Sequence, residues 1–264
     1  MANSRTLVLS TAVTQVPSVC LRNPAQTKSA FLRSATTLGR NLSTSSFQLK
    51  KQHFSDVGSS RMLVRASATT SSAGAGNIAK SLEGIQVSDP SGAKVSLTSL
   101  WENRKAVIAF ARHFGCLLCR KKAALLEARK AEFDAARVAL VLIAPGVSEQ
   151  ARIFLENNNF TGEVYADPDY AAYEALGVEK GVFSVINPKS GQRVLQAMSE
   201  GFGLDWVLSS YKDTVQSGGW IQGGILVAGP GKANVHYFFK DAEAGDEPNM
   251  DEVMSACCAA PAAA

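Results

Sequence analysis

Two cysteines three positions apart, Cys116 and Cys119, offer the plainest chemistry in this chain. They stand in Arg112-His113-Phe114-Gly115-Cys116-Leu117-Leu118-Cys119-Arg120, just after the apolar run Ala106 to Phe110 and at the head of a stretch with helical spacing. A helix N-terminus carries partial positive charge and free backbone N–H groups, and both favour a thiolate over a thiol. A cysteine placed there becomes a nucleophile near neutral pH. A second cysteine one turn further along is close enough to close a disulfide on it. Arg112, Arg120, Lys121 and Lys122 add positive potential around the pair. Cys116 and Cys119 are therefore the expected catalytic pair, with Cys116, at an exposed helix start, as nucleophile. The alternative is two inert thiols buried in an ordinary core helix.

Other positions are expected to assist. His113 is a proton shuttle or a charge near the thiols, beside Arg112. Gly223 and Gly224 precede an apolar run and would let a substrate backbone approach closely; the alternative is a simple bulge. Cys257 and Cys258 are candidate resolving thiols for a sulfenic acid formed at the motif, against the alternative of two thiols in an Ala-rich tail. His236 lies in an alternating strand and reads as structural. A vicinal cysteine pair fits zinc spacing poorly, so no metal is expected, and nothing calls for a cofactor.

The surrounding pattern must hold the motif in place. Ile85 to Val87 and Lys94 to Leu97 read as short strands around the turn Asp89-Pro90-Ser91-Gly92. Ala106 to Phe110 suits a strand buried on both faces. A helix is expected from Cys116 to about Ala136, a strand over Val138 to Ala144, and a helix over Ser148 to Glu156 with Ser148 as its cap. A strand over Glu163 to Ala166 and a helix over Asp169 to Leu176 complete parallel β-α-β units. Val194 to Met198 fits strand or helix, and Trp206 to Val215 reads as helix. Ile225 to Ala228, the turn Gly229-Pro230-Gly231-Lys232 and Val235 to Phe239 form a hairpin, before a closing helix over Met250 to Ala256 capped by Asn249. Parallel units, then a hairpin and a last helix, match a thioredoxin-like α/β layout of three layers, α/β/α, around a central mixed sheet.

The segment 112–120, the stretch Gln222-Gly223-Gly224-Ile225-Leu226-Val227, Asp241, Gly245-Asp246 and Ala256-Cys257-Cys258 resemble the peroxiredoxin-like 2 family, whose plant plastid members carry the AhpC/TSA antioxidant-enzyme domain. The resemblance runs from about Gly84 to Cys258 and implies a thioredoxin fold with antioxidant or oxidoreductase activity; some relatives reduce prostaglandin-type endoperoxides. One departure matters. Peroxiredoxins proper carry an upstream Pro and a Thr three residues before the reactive Cys. Counting back from Cys116 reaches His113, and from Cys119 reaches Cys116. Fast peroxide reduction is therefore not expected. Peroxiredoxin-type alignment would also name Cys119, not Cys116, as the reactive thiol.

Charge divides the chain. Residues 1–65 hold nine of the 27 Lys/Arg and one of the 23 Asp/Glu, so the +4 total hides a net −4 in the remainder. A nucleic-acid partner is not indicated. The acid-poor, hydroxyl-rich segment 1–65 reads as a transit peptide, to the chloroplast (stroma) in preference to the mitochondrion. Residues 66–77 read as a flexible linker, 78–258 as one thioredoxin-like domain and 259–264 as a tail. No run of 18 apolar residues suggests a membrane span. A small peroxide or disulfide substrate and a thioredoxin-type electron donor are the expected partners, and a non-catalytic redox-sensing or binding module is the rival reading.

Overall fold

Val107 to Phe110 are buried on both faces, and that burial makes this strand the centre of the sheet. The computed structural model describes Cys20 and residues 72–178, 180–181, 186–212 and 220–259. Within them helix α1 (Ser72–Ser81) leads into the hairpin β1 (Gln86–Ser88) and β2 (Lys94–Ser96), a 3₁₀ turn over Leu97–Leu100, and the central strand β3 (Lys105–Phe110). Helices α2 (Leu117–Glu127) and α3 (Lys130–Ala135) precede β4 (Val138–Pro145). Then come α4 (Ser148–Asn157), β5 (Glu163–Asp167), α5 (Ala171–Ala175), α6 (Pro188–Ser199) and α7 (Trp206–Ser209). The hairpin β6 (Gly224–Ala228) and β7 (Val235–Lys240) and helix α8 (Met250–Cys258) close the chain.

The seven strands run in the order β2-β1-β5-β4-β3-β6-β7. β3, β4 and β5 are parallel, and β6 and β7 join antiparallel. Beside β3 therefore lie the β-α-β unit through α2 and the hairpin that feeds α8, the thioredoxin-like arrangement of a mixed sheet. Alternation along β3 sends Val107 and Ala109 to one core, with Phe114, Leu126, Phe154 and Val253. Ala106, Ile108 and Phe110 face the other, with Leu82, Trp101 and Tyr173. The two cores, one on each face, make the three layers.

Several boundaries differ from the sequence reading, and one reading left open is decided. Helix α1 covers 72–77, which the sequence reading gave to the linker; Ala79 near its end and Leu82 just past it are buried. The expected helix from Cys116 to Ala136 breaks into α2 and α3, because Arg129 leaves helical geometry at φ −104° and ψ 9°. Ser148 is the first residue of α4, not its cap, and the Gln150 side-chain carbonyl accepts the Val147 N–H at 2.9 Å. Val194 to Met198 is helical within α6, whose start is capped by Asn187 accepting from Ser190 N–H. α7 stops at Ser209, short of the expected 206–215 helix; residues 213–215, the leader positions other than Cys20 and the tail 260–264 lie outside the described residues.

One side chain ties the sheet to the loop that carries the motif. The Tyr173 hydroxyl lies 2.6 Å from Ala111 O and 2.9 Å from Ile143 O, fully buried, with one proton shared between two carbonyls where β3 and β4 end. Tyr173→Phe removes the side-chain donor of Ala111 O in an apolar core, while Ile143 O keeps the Ala111 N–H at 2.8 Å. It should lower stability by about 1–3 kcal/mol in urea unfolding, without changing the secondary structure seen by circular dichroism.

Candidate active site

β3 ends at Phe110, the chain turns through Ala111 to Gly115, and Cys116 is the N-cap of α2. Its sulfur therefore sits at the positive end of an 11-residue helix. Cys119 lies one turn in, with its thiol hydrogen-bonded to Cys116. Arg112 serves both sulfurs: its backbone N–H donates to Cys119 Sγ at 3.2 Å, and its guanidinium reaches Cys116 Sγ at 3.8 Å. The same guanidinium is held by Ile221 O at 3.1 Å, so its position is set by the residue that leads into β6.

The two thiols are driven in opposite directions. The Cys119 hydrogen bond holds the Cys116 thiol well below the ordinary range, with help from Arg112 and His113, and these outweigh its burial. Cys119 is pushed well above that range because it donates to Cys116 and is buried next to its charge. The pair is thus polarised, with the charged form favoured at Cys116 and the protonated form at Cys119.

Cys116 is not exposed, as its place at a helix start suggested. It is 4% accessible and Cys119 8%. The cover is α7 and the residues before it: Asp205 N–H donates to Gly115 O at 3.2 Å, and Ser209 Oγ–H to the same oxygen at 3.4 Å. A Cβ on Gly115 would collide with Ser209 and Asp205, so only glycine lets this cover close over the motif.

The remaining expected residues divide. His113 is buried beside Cys116 and contributes to its field. Arg120 does not face the sulfurs; it binds Asn158 Oδ1 at 2.8 Å and Gly203 O at 2.7 Å. Lys121 pairs with Glu200. Lys122 forms a buried pair with Asp241 Oδ2 at 2.6 Å. Of the four cations expected to add potential, only Arg112 touches a thiol among the described contacts. Gly223 and Gly224 give close approach to the chain's own strands rather than free space for a substrate: Cβ atoms there would strike Phe110 O and Phe239 O.

Cys257 and Cys258 are far from the motif. Lys105, the first residue of β3, donates to Cys257 O at 2.8 Å. The motif follows the other end of that strand, roughly 15–20 Å away at about 3.3 Å per residue. Cys257 is buried and its thiol pushed up to about 12 by desolvation, while Cys258 is disulfide-bonded to Cys20. Neither is placed to resolve a sulfenic acid at Cys116.

Sequence reasoning missed the Lys122–Asp241 pair and the α7 cover. Lys122 was expected only to add positive potential around the thiols, and Asp241 stood only as one residue of a resemblance. Among the described residues no cluster of three or more His, Cys, Asp or Glu could hold a metal, and no helix is long and apolar enough to cross a membrane.

A chain from Arabidopsis thaliana, "Thioredoxin-like protein AAED1, chloroplastic", is 52% identical over 213 residues, covering 79% of this chain and 86% of its own length. Residues 125–243 match the AhpC/TSA antioxidant enzyme family. This chain belongs to that family. Its peroxiredoxin-like 2 branch also includes mouse Peroxiredoxin-like 2C, 26% identical over 67% of this chain and 79% of that protein. A prostamide/prostaglandin F synthase of Xenopus tropicalis is 33% identical over 62% and 79%. The solved peroxidoxin BcpB of Mycobacterium tuberculosis superposes with a TM-score of 0.46 at 15% identity, over 66% of this chain and 90% of that one. The thioredoxin-like fold rests on the sheet order itself. Membership makes this AhpC/TSA chain a thiol oxidoreductase or antioxidant protein.

Removing the guanidinium should raise the Cys116 pKa. Alkylation of Cys116 by iodoacetamide follows its thiolate, so in Arg112→Met the rate near neutral pH should fall severalfold and its midpoint move up toward about 8.5. The sign for stability follows. A depressed native pKa means the reduced protein gains stability over Cys116→Ser as pH rises through that pKa, holds it above about 8.5, and loses it on acidification. Alkylation against pH and denaturation of the reduced proteins check both.

Proposed function

We propose that this chain is a chloroplast thiol-disulfide oxidoreductase in which Cys116 is the nucleophile and Cys119 the resolving thiol. The observation that carries this is the convergence of the α2 N-terminus, the Arg112 guanidinium and the Cys119 thiol on Cys116 Sγ. The Cys116 thiolate attacks one sulfur of a substrate disulfide, that S–S bond breaks, and one substrate thiolate leaves. Cys119 then gives up its proton and attacks Cys116 Sγ, and the second substrate thiolate leaves. The motif has lost two electrons and the substrate has gained them. A thioredoxin-type donor restores both thiols by the reverse exchange.

The same thiolate can take an oxygen from a small peroxide, giving a sulfenic acid that condenses with Cys119 and releases water. This second route is slow, because His113 stands where peroxiredoxins carry the Thr that positions peroxide. A prostaglandin-type endoperoxide, the substrate class that the family resemblance implies for some relatives, falls in the same class. A cleft of about 260 Å³ beside α2, lined by Leu118, Lys121, Lys122, Arg193, Gln196 and Gly245, touches neither thiol but adjoins the motif helix and offers a place for a substrate to dock. Gly245 and Leu118 also line the small cavity beside Cys119.

The plastid reading, and the stroma within it, draws on the acid-poor segment 1–65 and on the chloroplastic relative. The working domain would then be 78–258 with a short helical lead and the 259–264 tail. Cleavage after residue 65 removes Cys20 and leaves Cys258 a free thiol beside Cys257. The burial of both motif thiols favours a second reading, a redox sensor that reacts once and slowly when α7 yields.

A donor-coupled assay with hydrogen peroxide and a model disulfide separates these readings. Disulfide turnover should exceed peroxide turnover. Cys116→Ser should abolish both, and Cys119→Ser should stop at a trapped mixed disulfide. Peroxide turnover that survives in Cys116→Ser would overturn the residue roles. A motif disulfide without turnover would favour the sensor. For location, a fluorescent protein carrying residues 1–65 should enter plastids; mitochondrial entry would reverse that assignment. Intact-mass thiol counting on the imported protein should then show four free cysteines after reduction.

A further inference from the structure

Cys119 must lose a proton when it attacks Cys116, yet solvent barely reaches it and its thiol holds the proton tightly. An internal acceptor would remove that obstacle. Cys119 and Lys122 share a face of α2 at i and i+3. Lys122 Nζ lies 2.6 Å from Oδ2 of Asp241, the residue after β7, whose backbone N–H continues the ladder to Gly223 O at 3.0 Å. Asp241 is 3% exposed, and its other oxygen, Oδ1, has no hydrogen-bond partner among the described atoms. A cavity of about 10 Å³ touches Arg112, Cys119, Lys122 and Asp241, and apolar residues such as Ala109, Leu118 and Leu142 make up most of the rest of its wall. That is about the volume one water needs, and the lining offers the polar partners that hold it.

We propose that Asp241 takes the proton of Cys119, through one water in this cavity, as Cys119 closes the disulfide. This rests on the reading that Cys116 and Cys119 are the redox pair. In the step, the Cys119 S–H bond breaks and its proton passes by way of the water to Asp241 Oδ1. The freed electron pair forms the Cys119–Cys116 S–S bond, and the Cys116–substrate S–S bond breaks with its pair on the leaving thiolate. The proton then returns to that thiolate or to solvent.

The groups facing Asp241 suit an acceptor. Lys122 on α2 and Arg112 after β3 favour the carboxylate, while burial and Asp246 after β7 favour the acid, and burial dominates. Asp241 therefore binds a proton more readily than an ordinary carboxylate and can still release it. Gly223 lets β6 pack closely beside Asp241, since a Cβ there would come within 3.2 Å of Asp241 Oδ2 and strike Phe110 O.

The test uses 5,5′-dithiobis(2-nitrobenzoate) with the reduced mature protein in stopped flow. Attack by Cys116 releases one nitrothiobenzoate, and closure by Cys119 releases the second. In Asp241→Asn the second phase should slow by about 10²-fold near neutral pH and recover as alkali deprotonates Cys119 directly, while the first phase keeps its rate. A second phase as fast as wild type, with the same pH profile, overturns the proposal. Equal slowing of both phases overturns it too, because it marks a structural role. Asp241→Asn strands the Lys122 ammonium, so the double variant Asp241→Asn/Lys122→Met, which removes both charges, is run beside it with the same expectation. Should neither fold, carbon NMR of the wild-type Asp241 carboxyl decides: its titration must differ between the dithiol and the disulfide, and identical titrations overturn the assignment. Absence of the first phase in wild type would instead count against the redox pair itself.

Discussion

Arg112 makes the structure's decisive contact. Its main-chain N–H binds Cys119 Sγ, its guanidinium reaches Cys116 Sγ, and Ile221 O fixes that guanidinium. One residue thus links the end of β3, the head of α2 and the segment entering β6. A thiolate in a nearly dry site needs positive charge that does not move, and only a side chain anchored from two directions supplies it. The parallel β3–β4 pair and the antiparallel β3–β6 pair are what bring those directions together.

Burial gives the site its character. A cysteine hidden among Phe114, Leu118 and Ala109 would ordinarily stay a thiol, since desolvation penalises the charged form. Here the hydrogen bond from Cys119, the guanidinium and the helix terminus together outweigh that penalty at Cys116, and the same hydrogen bond holds the proton on Cys119. The asymmetry between two identical side chains comes first from which one donates the hydrogen bond they share and then from the Arg112 and His113 charges beside Cys116. It comes at the expense of access, because α7 and Asp205 close over Gly115. Reaction with a large partner therefore requires α7 to give way. That segment presents exposed Trp206 and Val207 outward while Leu208 anchors it inward.

The Lys122–Asp241 pair adds a second polar layer beneath the thiols. Burying an ion pair is costly unless its hydrogen bonds are complete, and Asp241 Oδ1 is left without one. A fold selected for stability alone would fill that space with apolar side chains. Retaining a charged pair one helical turn from Cys119 makes sense where protons must move in a place solvent does not reach.

Most of the architecture was readable before any coordinates. The unbroken apolar run Ala106–Phe110, the alternation in Val235–Phe239 and the cap at Asn249 report local preferences, and local preferences survive into the fold. The placement of Cys116 at the head of α2 was equally legible, since strand, loop and helix follow one another along the chain. What tertiary structure decided involves partners far apart in sequence. Burial of Cys116 depends on Asp205 and Ser209, about ninety residues on. The partner of Lys122 lies 119 positions away, and Cys257 and Cys258 are carried to the opposite end of β3 from the motif. Such pairings leave no periodicity behind them. They arise because each buried charge and each closed loop must find its complement wherever the sheet brings the chain back.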